Sequence, residues 1–389
     1  MKLGVDHFLA SYLHLVEGKR VGLVTNITGV NEQLQSTLDL FHAHPAIHLT
    51  ALYAPEHGIR GDVHAGEKIQ SFIDDVTGLP VHSLYGETRK PTQEMLKNID
   101  IMVFDLQDLG ARYYTYIYTL AYVMEACGEL NIPVIVLDRP NPVGGDVVEG
   151  NRNEEKFRSF VGLYALPVRH GMTVGELAQW FVGEEGVQCD LTVVPLDGWK
   201  RHMYFDDTPF YWVPPSPNST NINMCILYGG TCLFEGTNVS EGRGTPQPFE
   251  MIGAPFINNR ELAHTFNNLQ LPGVFARPTS FLPTASKHAN EQCFGVQLHI
   301  TDRYQIRPFE TGIQLLRCIA KLYPNDFIFN ENGLGIENGN NVSFFFDLIA
   351  GSDQLREGIL KDNVEPFIEN AKAEAAQFKN QRAKYLLYI

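Results

Sequence analysis

Four nearly continuous apolar runs constrain this chain more than any other feature. Each ends abruptly in polar residues and is separated from the next by helix-forming sequence. The runs cover 21–24, 47–53, 101–104 and 133–137. Short runs of β-prone residues read as strands, and strands apolar on both faces belong to a parallel sheet covered by helices on each side. The intervening segments supply those helices. Leu34, Leu38 and Phe41 fall at helical spacing within 32–44, Thr92 is placed to cap a short helix, and a tyrosine-rich stretch over 113–130 makes a longer one. Strand and helix alternating in this way define an α/β domain.

The pattern continues with Thr173 and Glu176 at capping-box spacing, a strand over 191–196, a rigid proline loop at 214–218 and a helix over 221–234. After Phe249 the alternation loosens. Strands are expected near 273–281 and 294–301, with helices over 260–269, 309–322, 353–360 and 365–385. The expected division is therefore an α/β domain over residues 1–248 and a smaller α+β domain over 249–389.

Composition removes several function classes. A formal net charge of −15 argues against nucleic acid or an anionic membrane surface as partner. No apolar run approaches the roughly 18 residues of a spanning helix. The first residues lack the apolar core of a signal peptide, so the protein is expected to be cytoplasmic or to have lost a leader. The 6 cysteines show neither zinc-site nor thioredoxin spacing and read as buried thiols, with Cys225 and Cys232 on one buried face.

In open α/β sheets ligands bind beyond the carboxyl ends of the strands. Those ends here carry Thr25 and Asn26; Glu56, His57 and Arg60; Gln107, Asp108 and Arg112; and Asp138, Arg139 and Asn141. A second polar, glycine-rich loop spans Glu235 to Thr245. Candidate substrate contacts are Asn26, His57, Arg60, Gln107, Asp108, Arg139 and Asn141, joined by Asn238, Glu241 and Arg243 of the second loop.

Residue types then sort the chemistry. No Gly-x-Gly-x-x-Gly lies between the first strand and first helix, so no dinucleotide is expected. There is no Gly-x-Ser-x-Gly elbow for a serine hydrolase. A metal-dependent hydrolase would draw on His57, His64 and Asp62, but the two histidines are seven apart in a loop rather than at helical i, i+4 spacing. Neither cofactor nor metal is expected. Glycoside hydrolysis needs a proton-donating acid and usually a second carboxylate. Glu56 and Glu67, eleven apart across a glycine-rich loop, meet that need, with Tyr53, Tyr85, Tyr113, Trp199 and Trp212 available to pack or to stack on a sugar. A non-catalytic protein binding the same sugar or a peptide is the alternative.

Three motifs carry a resemblance. Pro55-Glu56-His57-Gly58-Ile59-Arg60-Gly61, Asp138-Arg139-Pro140-Asn141-Pro142 and the stretch from Glu235 through Thr245 resemble signatures of the exo-β-N-acetylmuramidases of the NamZ type, glycoside hydrolase family 171. The resemblance spans essentially the whole chain. It implies a Rossmann-like N-terminal domain, a smaller C-terminal domain, and removal of N-acetylmuramic acid from non-reducing ends of peptidoglycan fragments without a nucleotide cofactor. The family's two candidate catalytic glutamates fall on Glu56 and Glu67. Glu56, beside a rigid strand end, is expected to be the general acid; Glu67 is open to acting as the base that activates water, as a nucleophile, or as a polariser of the substrate's N-acetyl group, with the base leading. The lactyl carboxylate of such a substrate suits an arginine fork from Arg60, Arg139 or Arg243, with Arg243 favoured for its flanking glycines.

Overall fold

The computed structural model describes residues 1–59, 71–331 and 342–388. Its first strands are β1 (Arg20–Thr25), β2 (His48–Ala54), β3 (Phe72–Ile73), β4 (Pro80–Ser83), β5 (Ile101–Asp105) and β6 (Val134–Leu137). Next, β7 (Glu149–Arg152) and β8 (Pro167–Arg169) form a separate antiparallel pair, and β9 (Leu191–Val194) rejoins the main sheet. The sheet order is β3-β4-β2-β1-β5-β6-β9, parallel except where β3 meets β4. Leaving aside antiparallel β3, the six parallel strands run outward in both directions from the β1–β5 pair, which is the doubly wound, Rossmann-like arrangement.

The period-2 alternation of each strand sends its side chains to two covered faces. Val21, Leu23, Leu52, Val103 and Ile135 pack under α1 (Gly4–Ser11) and α2 (Thr37–Ala43), through Phe8, Leu38 and Phe41. Val24, Tyr53, Met102, Phe104 and Val136 pack on the opposite side, where α3 (Gln93–Leu96), α4 (Tyr116–Glu129) and α5 (Val174–Glu184) contribute Leu96, Leu120, Val123, Leu177 and Phe181. The expected capping box of α5 forms, with Thr173 and Glu176 satisfying each other's backbone N–H groups.

One helix is shorter than its spacing predicts. Over 32–44 only α2 is helical, because the Asn31 carboxamide accepts the backbone N–H groups of Gln33 and Gln35 and holds a turn there. Leu34, expected on the buried stripe, is consequently exposed in a left-handed conformation (φ 61°).

The elements from residue 222 onward, earlier than the expected start at 249, pack on one another, and we group them as the second domain. It contains α6 (Ile222–Thr231), a 3₁₀ turn over Cys232–Gly236, and a three-stranded antiparallel sheet of β10 (Met251–Ala254), β11 (Val274–Phe281) and β12 (Cys293–Ile300). Around these pack α7 (Asn259–Asn267), α8 (Pro308–Leu322), α9 (Phe345–Ala350), α10 (Gln354–Leu360) and α11 (Glu365–Gln381). Helices α6 and α8 approach so closely at Gly230 and Gly312 that a Cβ on Gly230 would lie 1.8 Å from the Pro308 carbonyl oxygen. The two domains share one apolar core and are bolted by Arg112. Its fully buried guanidinium donates to the carbonyls of Asn151 and Leu166 on one side and of Ile349 and Ala350 on the other.

Candidate active site

The polar residues at the strand ends separate into two groups. The first fills the place where the sheet order reverses, between β1 and β5. The Thr28 hydroxyl donates to Asn26 Oδ1 at 2.6 Å, and the Gln107 N–H donates to Thr28 Oγ1 at 3.0 Å. Gln107 Nε2 donates to the Pro140 carbonyl, and Asn141 Nδ2 to that of Met172. Arg139 grips Asp105 with two hydrogen bonds, of 2.5 and 2.9 Å, and Thr37 donates to the same carboxylate at 2.6 Å. Asp108 accepts the Gly110 N–H, and its other close neighbour is His170 Nε2 at 3.8 Å. Burial pushes Asp108 up to about 7. Burial, reinforced by Arg382 and Arg169, pushes His170 down to about 3. Asn26, Gln107, Asp108, Arg139 and Asn141 are each no more than 4% exposed. The fold places these five in its interior, each with a protein partner.

The second group lies where the two domains meet. Pro55 stops β2, and His57 (φ 72°) and Gly58 (φ 75°) turn the chain back sharply, closed by the Gly58 N–H on the Pro55 carbonyl. Two successive left-handed residues are costly for histidine, and strain of this kind concentrates at functional sites. The turn leaves His57 buried and Glu56 half-buried against the start of α4, where Glu56 Oε2 accepts the Thr115 hydroxyl at 2.9 Å. A helix N-terminus favours a negative charge. The Tyr116 hydroxyl accepts from Asn26 Nδ2 and lies 3.1 Å from the Glu56 carbonyl and 2.7 Å from that of Pro215. It thereby ties the turn to the rigid proline loop. Tyr85 lies close to the Glu56 carboxylate; burial first, then that negative charge, holds its hydroxyl well above the ordinary tyrosine range.

The facing wall comes from the second domain. Glu235, at the end of the 3₁₀ turn, pairs with Arg243 Nη2 at 2.8 Å, and Arg243 Nε pairs with Glu241 at 3.1 Å. Lys287, from the loop joining β11 to β12, reaches Glu241 at 2.8 Å while donating to the carbonyls of Phe234, Thr237 and Val239. Gly244 (φ 77°) admits that loop, since a Cβ there would meet the Ala285 nitrogen at 2.4 Å. Asn238 serves as a stitch, donating to the Asp326 carbonyl and accepting the Ile328 N–H. The Tyr85 hydroxyl is near enough to the second domain to feel the charge of Glu235 as well as that of Glu56. A chain of aromatic contacts joins the same walls behind it: Tyr116–Tyr114, Tyr114–Tyr228, Tyr228–Phe249, and Arg243 above the Phe249 ring.

Among the expected aromatics, Tyr53, Tyr113 and Trp199 are core, whereas Tyr85 and Trp212 are partly exposed. Arg60, Asp62, His64 and Glu67 lie outside the described residues, and among those described no group of three or more His, Cys, Asp or Glu is arranged to hold a metal. A separate groove lined by Val147, Glu149, Phe309, Ile368, Lys372 and Lys379 contains none of the site residues. Sequence reasoning passed over Thr115, Glu235 and Lys287. Glu235 stood in the recognised loop without a distinguishing neighbour, and Lys287 belongs to no motif and reaches the site only through the β11–β12 connection.

A doubly wound sheet with a carboxylate held by a hydroxyl at a strand end, facing an ionic cluster from a second domain, is the architecture of an α/β enzyme. Residues 21–223 match the family described as exo-β-N-acetylmuramidase NamZ, N-terminal, and residues 226–388 match its C-terminal counterpart. The chain belongs to the NamZ family. It is 50% identical, over 100% of its length and 91% of the relative's, to the peptidoglycan β-N-acetylmuramidase NamZ of Bacillus subtilis strain 168. Two crystal structures of DUF1343-family proteins from Bacteroides fragilis NCTC 9343 share the fold. One is 40% identical with a TM-score of 0.91, over 100% of this chain and 99% of that one. The other is 30% identical with a TM-score of 0.75, over 100% and 98%. The resemblance seen in the three motifs and the expected α/β fold with a smaller second domain both hold.

Proposed function

We propose that this protein is an exo-acting glycoside hydrolase that removes β-linked N-acetylmuramic acid from the non-reducing ends of peptidoglycan fragments by paired-carboxylate chemistry. The observation that carries the reading is Glu56: a half-buried carboxylate held by the Thr115 hydroxyl at the end of β2, beside Tyr85, on a strained turn. The full-length identity to a peptidoglycan β-N-acetylmuramidase supplies the substrate class.

In this reading Glu56 protonates the glycosidic oxygen as the bond to the anomeric carbon breaks. Thr115 fixes its rotamer, which is what a proton donor needs to meet the leaving oxygen within about 3 Å. Glu67 serves as the base that draws a proton from the attacking water. A water between the two carboxyls requires a separation of about 6.5–9.5 Å and inverts the anomeric centre. Arg243, near this junction, pairs with the lactyl carboxylate. Incubation with N-acetylmuramyl-terminated fragments tests the assignment. Single N-acetylmuramic acid units should appear first, as the α anomer by NMR. Release of internal fragments would overturn the exo reading, a β anomer would overturn inversion, and absence of any sugar release would favour a binding protein instead.

A further inference from the structure

The ionic cluster on the second domain has an imbalance that bears on how an anionic sugar enters it. Two cations, Arg243 and Lys287, serve two carboxylates, Glu235 and Glu241, but not evenly. Glu241 is 1% exposed and touches both cations, at 3.1 and 2.8 Å. Glu235 touches Arg243 alone, at 2.8 Å, and its side chain and that of Arg243 are each 21% exposed. Lys287 has no capacity to spare, since three backbone carbonyls already take its protons. Glu241 is thus the enclosed member, paired by charge with both cations, and Glu235, hydrogen-bonded to Arg243 alone, is the member on the open edge of the cluster. The charged and titratable groups around Glu235 are Arg243 and Glu241 of its own loop, Lys287 of the β11–β12 loop, Tyr228 of α6, Cys232 of the 3₁₀ turn, and Tyr85 beyond β4.

We propose that Glu235 is an exchangeable counter-ion: a carboxylate-bearing amino sugar displaces it from Arg243, and the displaced carboxyl takes a proton from solvent. This rests on the reading that Arg243 binds the lactyl carboxylate, and it adds what happens to the anion already there. The physical reason is charge crowding. A third carboxylate on two cations in a largely desolvated spot leaves one negative charge uncompensated, and neutralising it by protonation costs less than burying it. Glu235 is the member poised for this. Burial raises its pKa despite Arg243, whereas for Glu241 the opposing pull of Lys287 and Arg243 outweighs burial and the pKa is lowered. The exchange makes recognition selective. N-acetylglucosamine, with no carboxylate to replace that of Glu235, leaves the Arg243–Glu235 pair intact and gains nothing from the arginine.

Isothermal titration of the intact protein with free N-acetylmuramic acid, in phosphate and again in Tris at the same pH near neutrality, tests the exchange. The two buffers differ widely in ionisation enthalpy, so net proton uptake appears as a difference between the two observed enthalpies. The expected result is uptake by the wild type that is lost in Glu235→Gln, with Glu235→Gln binding N-acetylmuramic acid severalfold more tightly because the competing charge is gone. N-acetylglucosamine should cause no proton uptake. Selective binding of N-acetylmuramic acid by the wild type with equal enthalpies in both buffers would overturn the exchange while leaving Arg243 as its reader. Retention of that selectivity in Arg243→Ala would instead overturn the reading of Arg243 on which the exchange rests. The wild-type titration needs no variant, so a misfolded Glu235→Gln protein leaves the central measurement intact.

Discussion

Two arginines of this chain stand in similar company in the sequence and in opposite circumstances in the fold. Arg139 and Arg243 both lie just after a carboxylate in a glycine- or proline-bearing stretch; both read as anion contacts, and Arg139 reads equally as a structural partner of Asp138 or Asp105. Arg139 is 4% exposed and closed onto Asp105, which is fully buried and further satisfied by Thr37. Arg243 sits at the domain junction, bridges two carboxylates, and shares a partly open edge with Glu235. The difference lies in geometry rather than residue type. A buried one-to-one pair with both carboxylate oxygens hydrogen-bonded holds a fold together, whereas an arginine bridging two unequally placed carboxylates can rearrange when a ligand brings a third.

Removing each arginine should separate these roles. Arg139→Ala leaves buried Asp105 without its cation and with only the Thr37 hydroxyl as partner, and breaking such a pair costs about 3–5 kcal/mol. Urea denaturation should show that loss, while the protein that remains folded keeps its preference for N-acetylmuraminide over N-acetylglucosaminide. A changed preference with unchanged stability would place Arg139 in the site after all. For Arg243→Ala the pattern should invert. Loss of a charged hydrogen bond is worth roughly 1.5–3 kcal/mol, and it should appear in kcat/KM for the N-acetylmuraminide far more than for the N-acetylglucosaminide. Equal losses on both substrates would reduce Arg243 to scaffolding.

How far the sequence foretold this arrangement follows from the range of the forces involved. The central parallel strands, the caps at Thr92 and Thr173, and the second loop were legible because strand periodicity and capping act over a few residues, whereas β3, β7, β8 and β10 were not. The polarity of the strand ends was equally legible, but whether Gln107 or Asn141 faces ligand or protein depends on partners more than 30 positions away. Lys287 was out of reach for the same reason, being about 50 residues from the carbonyls it binds. The early start expected for α2 failed over a shorter range. Helical spacing of apolar residues was present, yet a single asparagine side chain captured the backbone first.

A smaller effect sharpens the scaffold side of the comparison. Asp108 is a buried carboxyl raised from the ordinary value to about 7. The unfolded chain releases its proton near pH 4, so folding must either retain that proton or bury the charge. Stability attributable to Asp108 is therefore full at low pH and falls as pH climbs from about 4 to 7. Asp108→Asn removes this dependence. Thermal melts should show a gain of a few degrees at pH 8 that shrinks toward pH 4. A gain or loss independent of pH would mean that Asp108 acts through packing alone. His170, pushed down to about 3, has the opposite slope below its unfolded value near 6.5, and the variant should expose it as a decline in stability toward acid.

The account stands or falls on Glu56, the carboxylate held at the end of β2 by the Thr115 hydroxyl, beside Tyr85. Rate and thermal stability of Glu56→Gln, measured side by side on an unactivated N-acetylmuramyl disaccharide, test it most directly. The substitution keeps the size of the side chain and removes the transferable proton. We expect activity to fall by at least about 100-fold, the low end for general acid catalysis, with the melting temperature little changed. Turnover of that disaccharide at the wild-type rate by a folded Glu56→Gln protein would contradict the account.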